Sequence, residues 1–343
     1  MDRIAQAPPA DRADLFQRAA FVLRPERSPA LVEKDFWVCW VLHRLYTVLR
    51  FHPRLIFKGG TSLSKAYDAI QRFSEDVDLS FSRMDLGLTG NRNPEEPGIS
   101  GKEIRRRIKN LVVVCERTIH NRLLPRLRDD FRSVIGTGDW NIEVDAVDPQ
   151  AVIFSYPRSE LSDGLPEIIR PAIRLELGAR SDDWPTEVRV IRPYAAEAIP
   201  QVFSTTGSCR VLVMDARRTF WEKATLVHAE FHRPLDKALA EGISRHYYDI
   251  YQLSKHDIGR EALNLKELLE RVVAHKKLFY ASSWTHLETA HPGSFHLVPH
   301  DSRLASLRAD YAKMRQMIFG VVPGWLEIIE GLQKLENRIN GRK

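Results

Sequence analysis

Cysteine is scarce in this sequence. Only Cys39, Cys115 and Cys209 occur in 343 residues, far apart and without a Cys-x-x-Cys pair. That excludes a disulfide scaffold and the common paired-cysteine zinc sites, and it suits a reducing compartment. Long apolar runs are also missing. The longest near the start, "FWVCWVLHRLYTVL", is broken by His43 and Arg44 and is shorter than a bilayer span. The first residues, "MDRIAQAPPADRADLF", contain no apolar stretch of signal-peptide type. The expectation is a soluble, cytoplasmic protein with no membrane partner. Absent too are the phosphate loop Gly-x4-Gly-Lys-Ser/Thr, a His-Arg-Asp catalytic loop and any internal repeat or low-complexity tract.

What is present describes a globular chain. A hydrophobic fraction of 43% against 28% charged residues is enough to bury a core. The length allows one large domain or two smaller ones. Lys plus Arg exceeds Asp plus Glu by 51 to 45, a net +6 that permits a polyanionic partner without requiring one. Residues 11–24 read as a helix. Ser28 and Pro29 then read as N-cap and first helical residue of a second, which carries "VEKDFWV". "RLIFKGG" is a strand entering a glycine turn, Thr61–Ile70 has helical spacing, and "DVDLSF" alternates as a strand. Residues 85–101 read as a loop and 101–132 as a long basic helix. "WNIEVDAV", "AVIFSYP", "AIRLELGA" and "TEVRVIRP" are strand candidates, and after about residue 210 the pattern is helical.

The chemistry concentrates in "FKGGTSLSKAYDAIQRFSEDVDLSF", residues 57–81. Side chains alternate across a strand, so Asp76 and Asp78 share one face while Val77, Leu79 and Phe81 share the other. Two such carboxylates repel unless a cation lies between them, and hard oxygen ligands favour Mg²⁺ or Mn²⁺. Gly59 and Gly60 allow close approach of the backbone to a phosphate at a helix N-terminus. Thr61 and Ser62 offer hydroxyls, and Lys65 and Arg72 offer positive charge. The order strand, glycine turn, helix, acidic strand therefore suits a nucleoside triphosphate with its metal. Either half alone is a common turn or a solvated strand face.

This order resembles the polymerase-β-like nucleotidyltransferase superfamily. "FKGGTSLSKAY" followed by "RFSEDVDL", with "VEKDFWV" ahead of them, resembles more closely the AbiEii/AbiGii toxin family, which includes the MenT toxins. The resemblance runs from about residue 28 to 285. It implies an α+β fold: a mixed sheet with flanking helices over 28–209, followed by a C-terminal helical domain over 210–343. Residues 1–27 are then an N-terminal extension. It also implies transfer of a nucleoside monophosphate to an acceptor hydroxyl by the toxin of a toxin–antitoxin or phage-defence pair. The acceptor would be the tRNA 3′ end and the partner a winged-helix antitoxin. Nucleotidylation of a protein hydroxyl, or NTP and RNA binding without catalysis, are the alternatives.

The superfamily places a third carboxylate on a neighbouring strand. "RLELGAR" resembles that strand and offers Glu176; Glu143 and Asp145 of "NIEVDAV" compete, and a salt bridge from Glu176 to Arg174 is the plainer account. Lys223 of "EKATLV" shares a helical face with Phe220, Ala224 and Val227, and Asp249 of "YYDIYQL" lies on a similar face. Spacing leaves two accounts open: a buried Lys223–Asp249 pair, or Lys223 on the triphosphate with Asp249 as its orienter or base. The resemblance implies the second. The expected set is thus Asp76, Asp78 and Glu176 for metal, and Gly59, Gly60, Thr61, Ser62, Lys65, Arg72, Ser74 and Lys223 for nucleotide. Basic residues at 102–110 and 122–132 read as solvated helix faces, while those at 275–280, beside Phe279, Tyr280 and Trp284, read equally as a solvated face or as phosphate contacts with a stacked base. His286, His291, His296 and His300 fit no familiar zinc spacing.

Overall fold

The computed structural model describes residues 1–161, 165, 169–203, 207–280 and 282–342. They form two compact units. The first comprises Met1–Ala66 and Phe73–Met214, the second Tyr67–Arg72 and Asp215–Lys343.

The first unit is a seven-stranded mixed sheet with helices. Its strands are β1 Leu55–Lys58, β2 Asp76–Phe81, β3 Asn141–Val144, β4 Ala151–Ser155, β5 Ile173–Gly178, β6 Thr186–Ile191 and β7 Cys209–Met214. The order across the sheet is β3-β4-β5-β2-β1-β7-β6. β2 runs parallel to β5 and antiparallel to β1, and β7 runs parallel to β1. The helices are α1 Asp2–Ala5, α2 Pro9–Val22, α3 Pro29–His43, α4 Gly59–Lys65, α5 Gly101–Thr118, α6 Leu124–Ile135, α7 Tyr194–Ala198 and α8 Pro200–Phe203. Thus an α+β mixed sheet with flanking helices is observed, as the sequence predicts.

Three expectations change. The strand "CRVLVM" was not foreseen. It is flanked by β1 and β6 and buries Val211, Val213 and Met214, so the boundary expected at 209/210 moves beyond the strand, to 214/215. Residues 1–27 form no separate extension: Phe16 of α2 is fully buried against Phe36 of α3, with ring centroids 5.5 Å apart. The helix read over Thr61–Ile70 starts earlier, at Gly59, and stops at Lys65, and the chain beyond it turns away with a positive φ of 49° at Asp68.

Parity along the strands makes the sheet two-faced. Val77, Leu79 and Phe81 of β2 and Ile173 and Leu175 of β5 are fully buried on one face. α3 and α6 pack on that side. Trp40 lies 4.6 Å from Phe131 of α6, which lies 4.8 Å from Phe154 of β4 (ring centroids). Burying each such phenyl ring stabilises by about 1.5–3 kcal/mol. α3 begins as read, with Ser28 accepting the Leu31 N–H at 3.3 Å and Pro29 next.

The "EKD" run of α3 is buried and fully engaged. Glu33 accepts the Ser159 N–H and hydroxyl, Lys34 donates to Glu75 and to the Arg170 carbonyl, and Asp35 takes Lys65 and the Tyr194 N–H. Buried charges persist only with partners like these.

The second unit is helical: α9 Ala216–Phe231, α10 Ser244–Lys255, α11 Asp257–Ala262, α12 Lys266–Phe279, α13 Asp301–Met314 and α14 Trp325–Ile339. The segment 67–72 joins it through a bridge between Arg72 and Ile318.

His228 of α9 gives this unit a pH dependence. Its Nδ1 accepts the His296 N–H at 3.1 Å, which assigns the ring proton to Nε2, beside the Thr289 hydroxyl at 3.1 Å. Protonating Nδ1 would set two donors face to face. Burial pushes the imidazole down to about 4. Between pH 6.5 and about 4 the unfolded chain therefore takes up a proton that the folded chain refuses. Stability should fall across that window by about 3 kcal/mol, and His228→Gln should flatten the slope. Melting curves at pH 7, 5.5 and 4 check this. Among the described residues no group of three or more histidines, cysteines and carboxylates is placed to hold a metal.

Candidate active site

Backbone pairing assembles the acidic face. Asp78 pairs in register with Glu176 across parallel β2 and β5, and Asp76 pairs with Arg174. Asp78 also faces Lys58 across antiparallel β1, with Lys58 Nζ 3.8 Å from Oδ1. Neighbouring strands lie roughly 4.8 Å apart, so three carboxylates and two cations share a small patch. The patch is partly open: the Asp78 and Glu176 side chains are 26% and 43% exposed.

Arg174 is the hub of that patch. Its Nε donates to Glu176 at 3.1 Å, Nη1 donates to Asp145, and Nη2 donates to Asp148 at 3.1 Å. Asp145, the competing candidate, is thereby committed to Arg174 and to the N–H groups of Val147 and Asp148. Those backbone donors, then Arg174, hold its carboxyl below the usual carboxylate range.

Asp76, Asp78 and Glu176 fit a hard divalent cation in donor type and in strand register. Their side chains do not converge as they stand. Glu176 is turned onto Arg174, and among the described residues no three acidic, His or Cys groups surround one point.

The glycine turn fixes Asp78. Gly59 has a φ of +76°, and a Cβ there would overlap the Asp78 carboxylate. Both constraints demand glycine. Gly59→Ala should cost more than about 1 kcal/mol of stability and also displace Asp78. Activity should then fall further than a strain-matched loss of stability explains. Rates measured well below the melting temperature check this.

Four expected phosphate ligands are otherwise engaged. Thr61 Oγ1 donates to the Asp76 carbonyl and lies 3.4 Å from that of Ser74, and Ser62 Oγ donates to the Gly59 carbonyl at 2.9 Å. A hydroxyl has one proton to give: Thr61 gives its proton to β2, and Ser62 gives its own to the carbonyl of the turn. Lys65 is buried, 2.9 Å from Asp35 and over the Tyr194 ring. Burial works against its charge, but Asp35 and its neighbours raise the lysine above its ordinary value. Arg72 is also buried and belongs to the second unit. Gly60 remains at the turn, and Ser74 meets it only through its carbonyl, 3.4 Å from the Thr61 hydroxyl. Lys58 was missed. Only the antiparallel register of β1 and β2 reveals that it faces Asp78.

Within the second unit, Asp249 receives Arg72 in two parallel bonds of 2.7 Å and Lys223 at 2.9 Å. Burial pushes its carboxyl up, but the two cations overcome this and hold it well below the usual range. Burial pushes Lys223 down despite Asp249, and Arg72 pushes it down further. Lys223 is the less firmly held cation of the three-way cluster. The pairing account of Lys223 and Asp249 is thus observed, with Arg72 as an unforeseen third member.

The aromatic-basic stretch read at 275–284 is engaged in part, with Lys277 and Tyr280 exposed. Lys276 donates to the Glu222 carbonyl at 2.6 Å, and burial pushes it down to about 8. Phe279 is buried on His275, and Arg233 covers Trp284 at 4.5 Å.

The sequence matches the family described as "Nucleotidyl transferase AbiEii toxin, Type IV TA system" over residues 40–331. The chain belongs to this family. It is a nucleotidyltransferase toxin of the type IV toxin–antitoxin class, and an NTP substrate and an antitoxin partner come with that membership. No curated protein matches the sequence. Among solved structures, MenT4, a nucleotidyltransferase toxin from Mycobacterium tuberculosis H37Rv, is 16% identical with a TM-score of 0.44, covering 96% of this chain and 99% of its own. JHP933 from Helicobacter pylori is 14% identical with a TM-score of 0.36, covering 97% of this chain and 94% of its own. Among the described residues of this family member, no helix is long and apolar enough to cross a membrane.

Proposed function

We propose that the acidic face of β2 and β5 transfers a nucleoside monophosphate from an NTP to the 3′-terminal hydroxyl of tRNA. The observation that carries this reading is the register pairing of Asp78 with Glu176, on the face shared with Asp76 and beside the Gly59 turn. Asp76, Asp78 and Glu176 would hold Mg²⁺ or Mn²⁺, and Glu176 exchanges its Arg174 partner to do so. When bound, that cation neutralises phosphate charge and favours the alkoxide form of the acceptor. Gly59 and Gly60 bring first-turn backbone N–H groups of α4 to the triphosphate. Lys58 adds a positive charge beside Asp78. The acceptor oxygen bonds to the α-phosphorus and the bond to the β-phosphate breaks. Pyrophosphate leaves, and the hydroxyl proton passes to solvent.

The setting is a cytoplasmic toxin and defence system whose antitoxin is a winged-helix protein. The test is incubation with each α-labelled NTP and total cell extract, with and without EDTA. Label is expected in an RNA band of tRNA size, and only without EDTA. Label confined to a protein band would overturn the RNA acceptor. Transfer insensitive to EDTA would overturn the metal.

A further inference from the structure

The net charge of this chain is not spread evenly. Residues 101–135, spanning α5, a π-helical turn at Ile119–Leu123 and α6, contain ten Lys and Arg against four Asp and Glu. Their excess equals the +6 of the whole chain. Nine of the ten cations are exposed, and of the acids only Asp129 is.

The run is amphipathic in a particular sense. Leu111, Cys115, Ile119, Leu123, Leu127 and Phe131 recur about every four residues and are fully buried. The cations take the opposite side. Among the described residues, Lys102, Arg105, Lys109, Arg117, Arg126 and Arg132 make no ion pair. Some exposed cations elsewhere are paired, Arg54 with Asp85, Arg189 with Glu187 and Arg260 with Asp257, and the unpaired ones do not gather on one continuous helical run of this length. The ridge is about 50 Å long at 1.5 Å per residue. No large hydrophobic residue on it is exposed. It therefore lacks the aromatic anchors of a protein interface and has no apolar face to insert into a membrane. What it offers is a row of unneutralised charge, suited to phosphates and blind to base identity.

We propose that this ridge is the docking surface for the body of a folded RNA, the acceptor of the reaction. The inference rests on the RNA-acceptor reading above. Its position makes it specific. The inner side of α5 and α6 meets the apolar face of the sheet, where Cys115 Sγ lies 3.9 Å from the Leu177 carbonyl. Asp78 and Glu176 lie on the other face. The ridge is thus roughly 20 Å from the carboxylates, a helix diameter plus one packing layer. Only an acceptor large enough to reach round the unit can use both. A short oligonucleotide cannot.

The test compares wild type with two triple variants, Lys102→Gln/Arg105→Gln/Lys109→Gln and Arg117→Gln/Arg126→Gln/Arg132→Gln. The probes are bulk tRNA and a short single-stranded RNA ending in the same 3′ nucleotides. Without NTP, each variant should bind tRNA about tenfold more weakly near 0.1 M salt. The slope of log affinity against log salt should fall by up to about 3, one per lost phosphate contact. Labelling of the short RNA should be unchanged, which also certifies the fold. Wild-type tRNA affinity and slope in both variants would overturn the docking surface. So would unchanged tRNA binding with lost binding of the purified antitoxin, which would make the ridge a protein interface. If wild type labels no RNA at all, the acceptor reading fails instead, and the two failures are distinguishable.

Discussion

Asp76→Ala should abolish nucleotide transfer and leave the fold intact. Asp76 shares the β2 face with Asp78, and its strand partner is Arg174. A cation held there supplies several kcal/mol of charge stabilisation in the transition state. At 1.36 kcal/mol per decade, losing it should cost on the order of 10³-fold in rate. The stability cost should be small. The side chain lies on the half-open face, so its removal leaves no core cavity. The backbone carbonyl that accepts the Thr61 hydroxyl is untouched. The measurement pairs initial rates of label incorporation with a melting curve. Full activity in a well-folded variant would remove Asp76 from the site.

The second large effect is structural. Asp249→Asn should destabilise by roughly 3–5 kcal/mol, because it strands the buried charges of Arg72 and Lys223 without a counter-charge. Lys223→Met should be close to neutral, since Arg72 keeps its two bonds to Asp249 and a methionine fills the space of the lysine stem. Because Arg72 keeps the carboxylate paired when Lys223 is lost, the cost of breaking this cluster falls on Asp249. Asp249 also contributes to acid stability. Its folded carboxyl sits below its unfolded value, so its contribution is complete above the ordinary carboxylate pKa and is lost as pH falls through the lower folded value. Urea titrations of both variants check the contrast. NTP titration of Lys223→Met answers a separate question. Weakening by about 1.5–3 kcal/mol would give Lys223 the triphosphate contact implied by family resemblance.

The legibility of the sequence followed the range of its signals. Alternation in "DVDLSF" was enough to place Asp76 and Asp78 on one face and Val77, Leu79 and Phe81 in the core. The Ser28-Pro29 helix start is a local capping signal and was readable for the same reason. β7 was not readable. Its side chains are partly buried on both faces between neighbouring strands, so "CRVLVM" lacks clean alternation. The hydroxyls of Thr61 and Ser62 and the ammonium of Lys65 looked like phosphate ligands because residue type says what a group can bind. It does not say what already binds it. Asp35, which takes Lys65, is 30 residues away in the chain, and Asp249, which takes Arg72, is 177 away. Lys58 and Arg174 became visible only with the strand register. The basic run at 101–135 was legible as charge. That six of its cations lie unpaired along one ridge, while Lys276 is tied to the Glu222 carbonyl, needed the packing.

One measurement reaches the central claim most directly. The protein is incubated with bulk tRNA and the same NTP labelled at either the α- or the γ-phosphate. The RNA is then digested from its 3′ end. The expected result is α-label released as the terminal nucleotide of the RNA, with γ-label recovered only as pyrophosphate. Both should be lost in Asp76→Ala. γ-Label on the RNA, or α-label that survives in Asp76→Ala, would contradict nucleotidyl transfer by this acidic face.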